Sequence, residues 1–176
     1  ATPPAGDATT FTTTTEPRLA IDLPPGWTAL ELGGEIRLSY LAPDFTSSSV
    51  RLVRLDRAQI IEPGAGTAPI PDGLLGWLGE HEYVSVTSRT TVSIAGRDVP
   101  ALWAMGVRGS QEEPFREYAL MSTGADRELF VATALPALFA VIDGLATGVL
   151  VRLHDATPVA VERAVSVLQT LRDAAP

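Results

Sequence analysis

Two histidines, His81 and His154, are the chain's whole supply of imidazole for acid–base work or metal ligation. His81 stands in Glu80-His81-Glu82, a run that could offer carboxylate and imidazole to a metal ion. Metal ligands on one helix must share a face, as i and i+4 do, whereas three consecutive residues fan round the axis by about 100° each. A solvated helix end is therefore the stronger reading. His154 adjoins Asp155, but neighbours on a strand point to opposite faces, so a surface place at a strand end accounts for it. Glu112 and Glu113 form the only adjacent acidic pair and could share acid and base roles. They lie in the polar stretch from Gly109 to Pro114, where exposed charge is the simpler explanation. Gly64-Ala65-Gly66 is half of a dinucleotide fingerprint without its strand and helix, and Pro63 and Pro69 mark a plain loop. No serine has the Gly-x-Ser-x-Gly spacing of a nucleophile elbow. These patterns assign no catalytic, cofactor-binding or metal-ligating residue, and no cofactor is expected.

Inventory removes further chemistry. The 176 residues include no cysteine, which excludes thiolate nucleophiles, zinc ribbons, iron–sulfur ligation and disulfides. All 13 cations are arginine, so lysine Schiff bases and P-loops are excluded as well. Lysine and asparagine are both absent, and their codons are AT-rich, which points to a GC-rich bacterial genome. A net charge of −8 disfavours nucleic acid as a partner, because binding the phosphate backbone needs clustered cations. Apart from Arg51, Arg54 and Arg57, the arginines are scattered singly. The longest apolar stretch, Leu129 to Ile142, is interrupted by Pro136 and falls short of the roughly 20 residues of a membrane span.

The length suits one domain. Residues 1–9 read as a flexible Thr/Pro/Ala-rich leader, and residues 10–176 as a single α+β domain. Leu19, Ile21 and Leu23 alternate with Ala20 and Asp22, the period of a half-buried strand, and Pro24-Pro25-Gly26 ends it. Strands are predicted over Glu35–Ala42 and Ser49–Asp56, with a loop over Glu62–Pro71. A short central helix is predicted from Asp72 to about Glu82, with Gly73, Gly76 and Gly79 three apart on one face. Six strands follow between Val84 and Leu153, punctuated by Ala95-Gly96, Gly124 and Asp143-Gly144, as an antiparallel meander. Thr157-Pro158 then opens an amphipathic C-terminal helix with Val161, Ala164, Val165, Leu168 and Leu171 in its stripe, packed on the sheet. Trp77 and Trp103 fit core positions, and Trp27 fits a cap on the sheet's edge.

Leu23-Pro-Pro-Gly-Trp27, the helix from Leu74 to His81, Thr91 to Arg97, and the closing helix together resemble the PsbP-like superfamily, in particular small bacterial lipoprotein-like domains of the LpqN type. The resemblance runs from about Leu19 to Arg172. It implies the fold and a non-catalytic binding or assembly role in the cell envelope, with no active-site residue to carry over. The expectation is thus a non-enzymatic domain that binds a protein or an apolar ligand, in the envelope or secreted rather than the cytoplasm. Its partner surface is expected at Gly73, Gly76, Gly79 and Trp77, where missing side chains admit close approach. A lipid anchor upstream would fit the resemblance, although no cysteine opens this chain. Two other readings stay open: an enzyme or carrier whose site is assembled from scattered residues such as His81, and an acidic immunity-type protein that neutralises a basic partner.

Overall fold

A computed structural model describes residues 7–41, 47–62, 64–107, 115–124, 127–133, 135–154 and 157–175. Glu112, Glu113, Asp155 and the first six residues of the expected leader lie outside them. In chain order the strands are β1 (Thr9–Thr12), β2 (Leu19–Leu23), β3 (Trp27–Leu32), β4 (Glu35–Leu41), β5 (Ser47–Arg54), β6 (Gln59–Glu62) and β7 (Gly66–Pro69). Helix α1 (Leu74–Glu80) precedes β8 (Val84–Ile94), β9 (Arg97–Gly106), β10 (Glu117–Ser122), β11 (Glu128–Ala132), β12 (Ala137–Ile142) and β13 (Val149–Leu153). Helix α2 (Pro158–Leu168) and the two-residue β14 (Arg172–Asp173) close the chain. All pairings between these strands are antiparallel, and with two helices the class is α+β.

A seven-stranded sheet of order β3-β4-β5-β13-β12-β9-β8 occupies the middle. Its inner strands are apolar on both faces. Along β12, Leu138, Ala140 and Ile142 enter one buried cluster while Ala137 and Phe139 enter a second. Val149, Val151 and Leu153 of β13 join the first, and Leu150 joins the second. Such continuous apolar runs must be covered on both sides. On the first side lie α2 and the small sheet β1-β2-β14, which contribute Leu19, Ile21, Ala164, Val167 and Leu168. The other is covered by α1 and the four-stranded sheet β11-β10-β6-β7, through Leu74, Leu78, Leu120, Met121 and Val131.

The predicted single meander is therefore corrected. β9 pairs with β12 rather than with β10, because the hairpin of β10 and β11 leaves the central sheet to build the covering layer. The predicted loop over Glu62–Pro71 contains the end of β6 and all of β7, an edge strand where proline and glycine are tolerated. β3 was absent from the predicted strands, and Trp27 on it is a core residue, 7% exposed and tilted against Tyr40. Thr9 already pairs with Leu23, so the leader is structured at its last residue. The closing helix ends at Leu168, and Val167 takes the buried place expected of Val165. Its start is as expected: the Thr157 hydroxyl accepts from the Ala160 N–H at 3.2 Å, with Pro158 in the first turn. The turn at Ala95-Gly96 is also as expected, with positive φ at both residues, 52° and 73°.

One buried cation ties the first layer to the central sheet. Arg54, fully buried at the end of β5, donates to the carbonyls of Thr15 at 2.8 Å and Glu16 at 2.9 Å, in the connection between β1 and β2. It also pairs with Asp56 at 3.3 Å. Burial pushes the Asp56 carboxyl up, but hydrogen bonds from the Thr147 hydroxyl and Arg54 outweigh it and hold the group below its ordinary value. Removing Arg54 takes the shortest donors from the carbonyls of Thr15 and Glu16 and leaves them the longer contacts from Thr13 at 3.5 Å and Arg57 at 3.4 Å. Arg54→Met is expected to cost roughly 3 kcal/mol or more of unfolding free energy in a chemical denaturation series. A loss within about 0.5 kcal/mol, the range of an ordinary surface substitution, would show that the β1–β2 connection is held by other contacts.

Candidate functional site

Beside α1 the layers do not close, and they leave a cleft of about 380 Å³. Its walls come from Leu55, Ile70, Pro71, Leu74, Leu75, Pro100 and Val141, with Gly73 and Gly76 between them and Asp72 and Asp143 also in its lining. The opening has a backbone cause. Pairing of β9 with β12 stops at Ala101 opposite Ala140, one residue short of Pro100, whose ring nitrogen has no hydrogen to donate. Beyond that point Pro100 and Val141 line the cleft without pairing to each other, while each keeps its other neighbour, Thr91 for Pro100 and Leu150 for Val141.

α1 supplies the remaining wall. Leu74 and Leu78, four apart, are buried in the second cluster and anchor the helix. The three glycines expected on one face of a helix from Asp72 to Glu82 prove to have three different situations. Gly73 lies outside the helix as its N-cap, with φ of 70°, and it takes over the start predicted at Pro71-Asp72. Gly76 is helical, and a Cβ placed there would meet nothing within 4 Å, so this face of the helix is open. At Gly79 a Cβ would lie 2.7 Å from an Arg89 guanidinium nitrogen, which closes that end. Gly73 and Gly76 thus border the cleft, whereas Gly79 does not.

Trp77 points away from the cleft lining into a row of rings. Its indole meets the His81 imidazole edge-on at 4.8 Å, His81 lies 5.5 Å from Tyr83, and Tyr83 stacks on Tyr118 at 4.6 Å. Arg116 sits 5.8 Å from the Tyr118 centroid. The His81 Nδ1 accepts from the Tyr83 N–H at 3.2 Å, so the neutral ring carries its proton on Nε2. Burial pushes the His81 imidazole down, against the opposing pull of Glu82. One ring nitrogen is thereby committed to the backbone, and Glu80 and Glu82 are exposed. Among the described residues no three potential ligands come together to hold a metal ion, and no helix is long and apolar enough to cross a membrane.

His154 lies elsewhere, on the central sheet, where its Nδ1 is 3.0 Å from Arg152 Nη2. Trp103 is half-buried against the first cluster. Gly64 and Gly66 both have positive φ, 74° and 93°, around the β6–β7 turn, which accounts for the half-fingerprint as hairpin geometry. Reasoning from sequence missed Leu55, Pro100, Val141 and Asp143 as cleft residues, since each is an ordinary strand or turn residue until the layers are stacked. The interruption of a strand pattern by Pro100 was the one available signal. The chain matches no protein-family model and no curated protein.

Two outcomes check this geometry. Gly76→Ala is expected to raise stability by about 0.5–1 kcal/mol, because it enters an open helical position, whereas Gly73→Ala is expected to lower it by about 1 kcal/mol at a left-handed one. Chemical denaturation of both variants distinguishes them, and changes of the same sign would contradict the helix start. The second concerns pH. An imidazole whose proton is disfavoured by folding contributes stability that is complete above its ordinary value of 6.5 and is lost as pH falls through the lower folded value. His81→Phe should therefore lessen the fall in melting temperature between about pH 7 and about pH 5 relative to the parent chain. An unchanged slope would remove the burial of His81 as its cause.

Proposed function

We propose that this domain is a non-enzymatic interaction module whose cleft beside α1 receives an apolar side chain from a basic peptide segment of a partner protein. The observation that carries the reading is the open helical face at Gly76 above a floor of Leu55, Ile70 and Val141, with two carboxylates and no cation among the described residues of the lining. The volume suits one large side chain and part of its neighbours. Asp72 and Asp143 are exposed, so they can pair with arginine or lysine flanking that side chain. A net charge of −8 serves the same end at long range by steering a cationic partner toward the surface. The resemblance to PsbP-like envelope domains supports the same class of role, a binding module held at or outside the membrane.

Fluorescence anisotropy with short labelled peptides provides the test. A peptide with leucine or phenylalanine between arginines should bind, and more weakly as salt rises, while the same apolar residue between glutamates should not. Gly76→Leu is expected to weaken binding at least about tenfold by filling the cleft, with the fold retained because its position is open. Equal binding of basic and acidic peptides, or undiminished binding to Gly76→Leu, would remove the cleft as the docking site.

A further inference from the structure

On the side of the second apolar cluster, the covering layer does not reach the whole central sheet. β3 and β4 contribute nothing to that cluster, and Leu30 and Leu41 on this face are 55% and 60% exposed. Where cover runs out, three arginines lie in register on adjacent strands: Arg37 opposite Arg51, and Arg51 opposite Arg152. Like charges directly opposite one another destabilise a sheet. One buried carboxylate serves the row. Glu35, fully buried, accepts from both Nε and Nη2 of Arg51 and from Nε and Nη2 of Arg37 at 3.3 and 3.2 Å. Arg51 also donates to the Glu128 carbonyl at 3.0 Å. Arg152, 6% exposed, has Nη2 on the Nδ1 of His154, while its Nε is buried without a hydrogen-bond partner.

The row is thus a concentrated positive site in a chain of charge −8, with a graded exposure: Arg152 buried, Arg51 half-buried and Arg37 exposed. We propose that this row binds a compact oxyanion, a carboxylate or phosphate group on a small molecule, through Arg37 and the outer side of Arg51, with Arg152 adding charge from the buried end. Guanidinium groups suit such oxyanions because each presents paired N–H donors in a plane. A compact ligand is favoured over a polyanion, since a chain of net charge −8 repels extended negative charge. Burial, then the neighbouring Arg51 charge, pulls the Arg152 guanidinium down to about 10, with Glu117 and Glu35 opposing, as expected of a cation short of counter-charge.

Thermal unfolding at constant ionic strength, with chloride replaced stepwise by inorganic phosphate or by succinate, tests the site. The parent chain should gain melting temperature as the logarithm of anion concentration rises, as for a ligand bound only by the folded state. Phosphate stabilises many proteins without a site, so the variants decide. Arg37→Ala, at the exposed end, should keep the fold and require about tenfold or more anion for the same gain, as expected on losing a charge-assisted contact. Arg152→Met should melt at or above the parent in chloride and show a diminished anion response. An equal anion response in Arg37→Ala and the parent, or none in the parent, would overturn the proposal and leave the row a structural network. Because Arg37→Ala alone decides, the outcome is the same even if Arg152→Met fails to fold. The anion whose response Arg37→Ala diminishes more is the oxyanion the row prefers.

Discussion

A central sheet that is apolar on both faces is the constraint from which the rest of this molecule follows. Strands such as β12 and β13 carry Leu138, Phe139, Val149, Leu150 and Val151 in sequence, so no orientation of the sheet could leave one face to water. Two covering layers are then obligatory. The chain builds one from its two ends, β1, β2, α2 and β14, and the other from its middle, β6, β7, α1, β10 and β11. That division explains why strands adjacent in sequence do not stay adjacent in space. β10 and β11 are needed above the sheet, so β9 must find β12 instead.

Both candidate sites lie where a covering layer ends. At α1 the layer thins because Pro100 stops the ladder and Gly76 leaves the helix bare, and an apolar cleft with carboxylates in its lining results. On β3 and β4 the same layer stops short of the sheet edge, and the arginine row begins there, beside the exposed Leu30 and Leu41. The two sites have opposite electrostatic character. Their separation is consistent with a surface that is acidic overall, where the positive row is shielded by its partial burial and by Glu35. Arg54, three residues after Arg51 on the same strand, points to the other face and performs a structural task among backbone carbonyls.

Much of the fold was legible in the sequence where local pattern and tertiary role agree. Leu19 to Leu23, Glu35 to Leu41 and the strands from Val84 onward show apolar periodicity bounded by turn residues, and Thr157-Pro158 announces α2 through its own hydrogen bond. The strands that escaped notice are those defined by a partner. β14 is two residues long and exists because Arg172 and Asp173 lie beside Ala20 and Leu19. β7 reads as loop chemistry, Gly66 to Pro69, until β6 pairs with it. In β3, Leu30 is exposed although apolar, so the alternation that identifies a half-buried strand is blurred by the missing cover.

The sequence by itself determined the α+β class, the antiparallel pairing, the capped closing helix and the exclusion of cysteine and lysine chemistry, because these depend on composition and on spacings shorter than one element. It also pointed to the glycines of α1. Only the tertiary structure decided that Gly73 is a cap, Gly76 an open wall and Gly79 a contact for Arg89. The arginine row belongs wholly to that second category. Arg37, Arg51 and Arg152 are scattered in the chain and become neighbours through strand register, which is set by the burial of Leu38, Leu52 and Val151 on the opposite face. Charge placement here is a by-product of how the apolar face aligns, and no local pattern encodes that alignment.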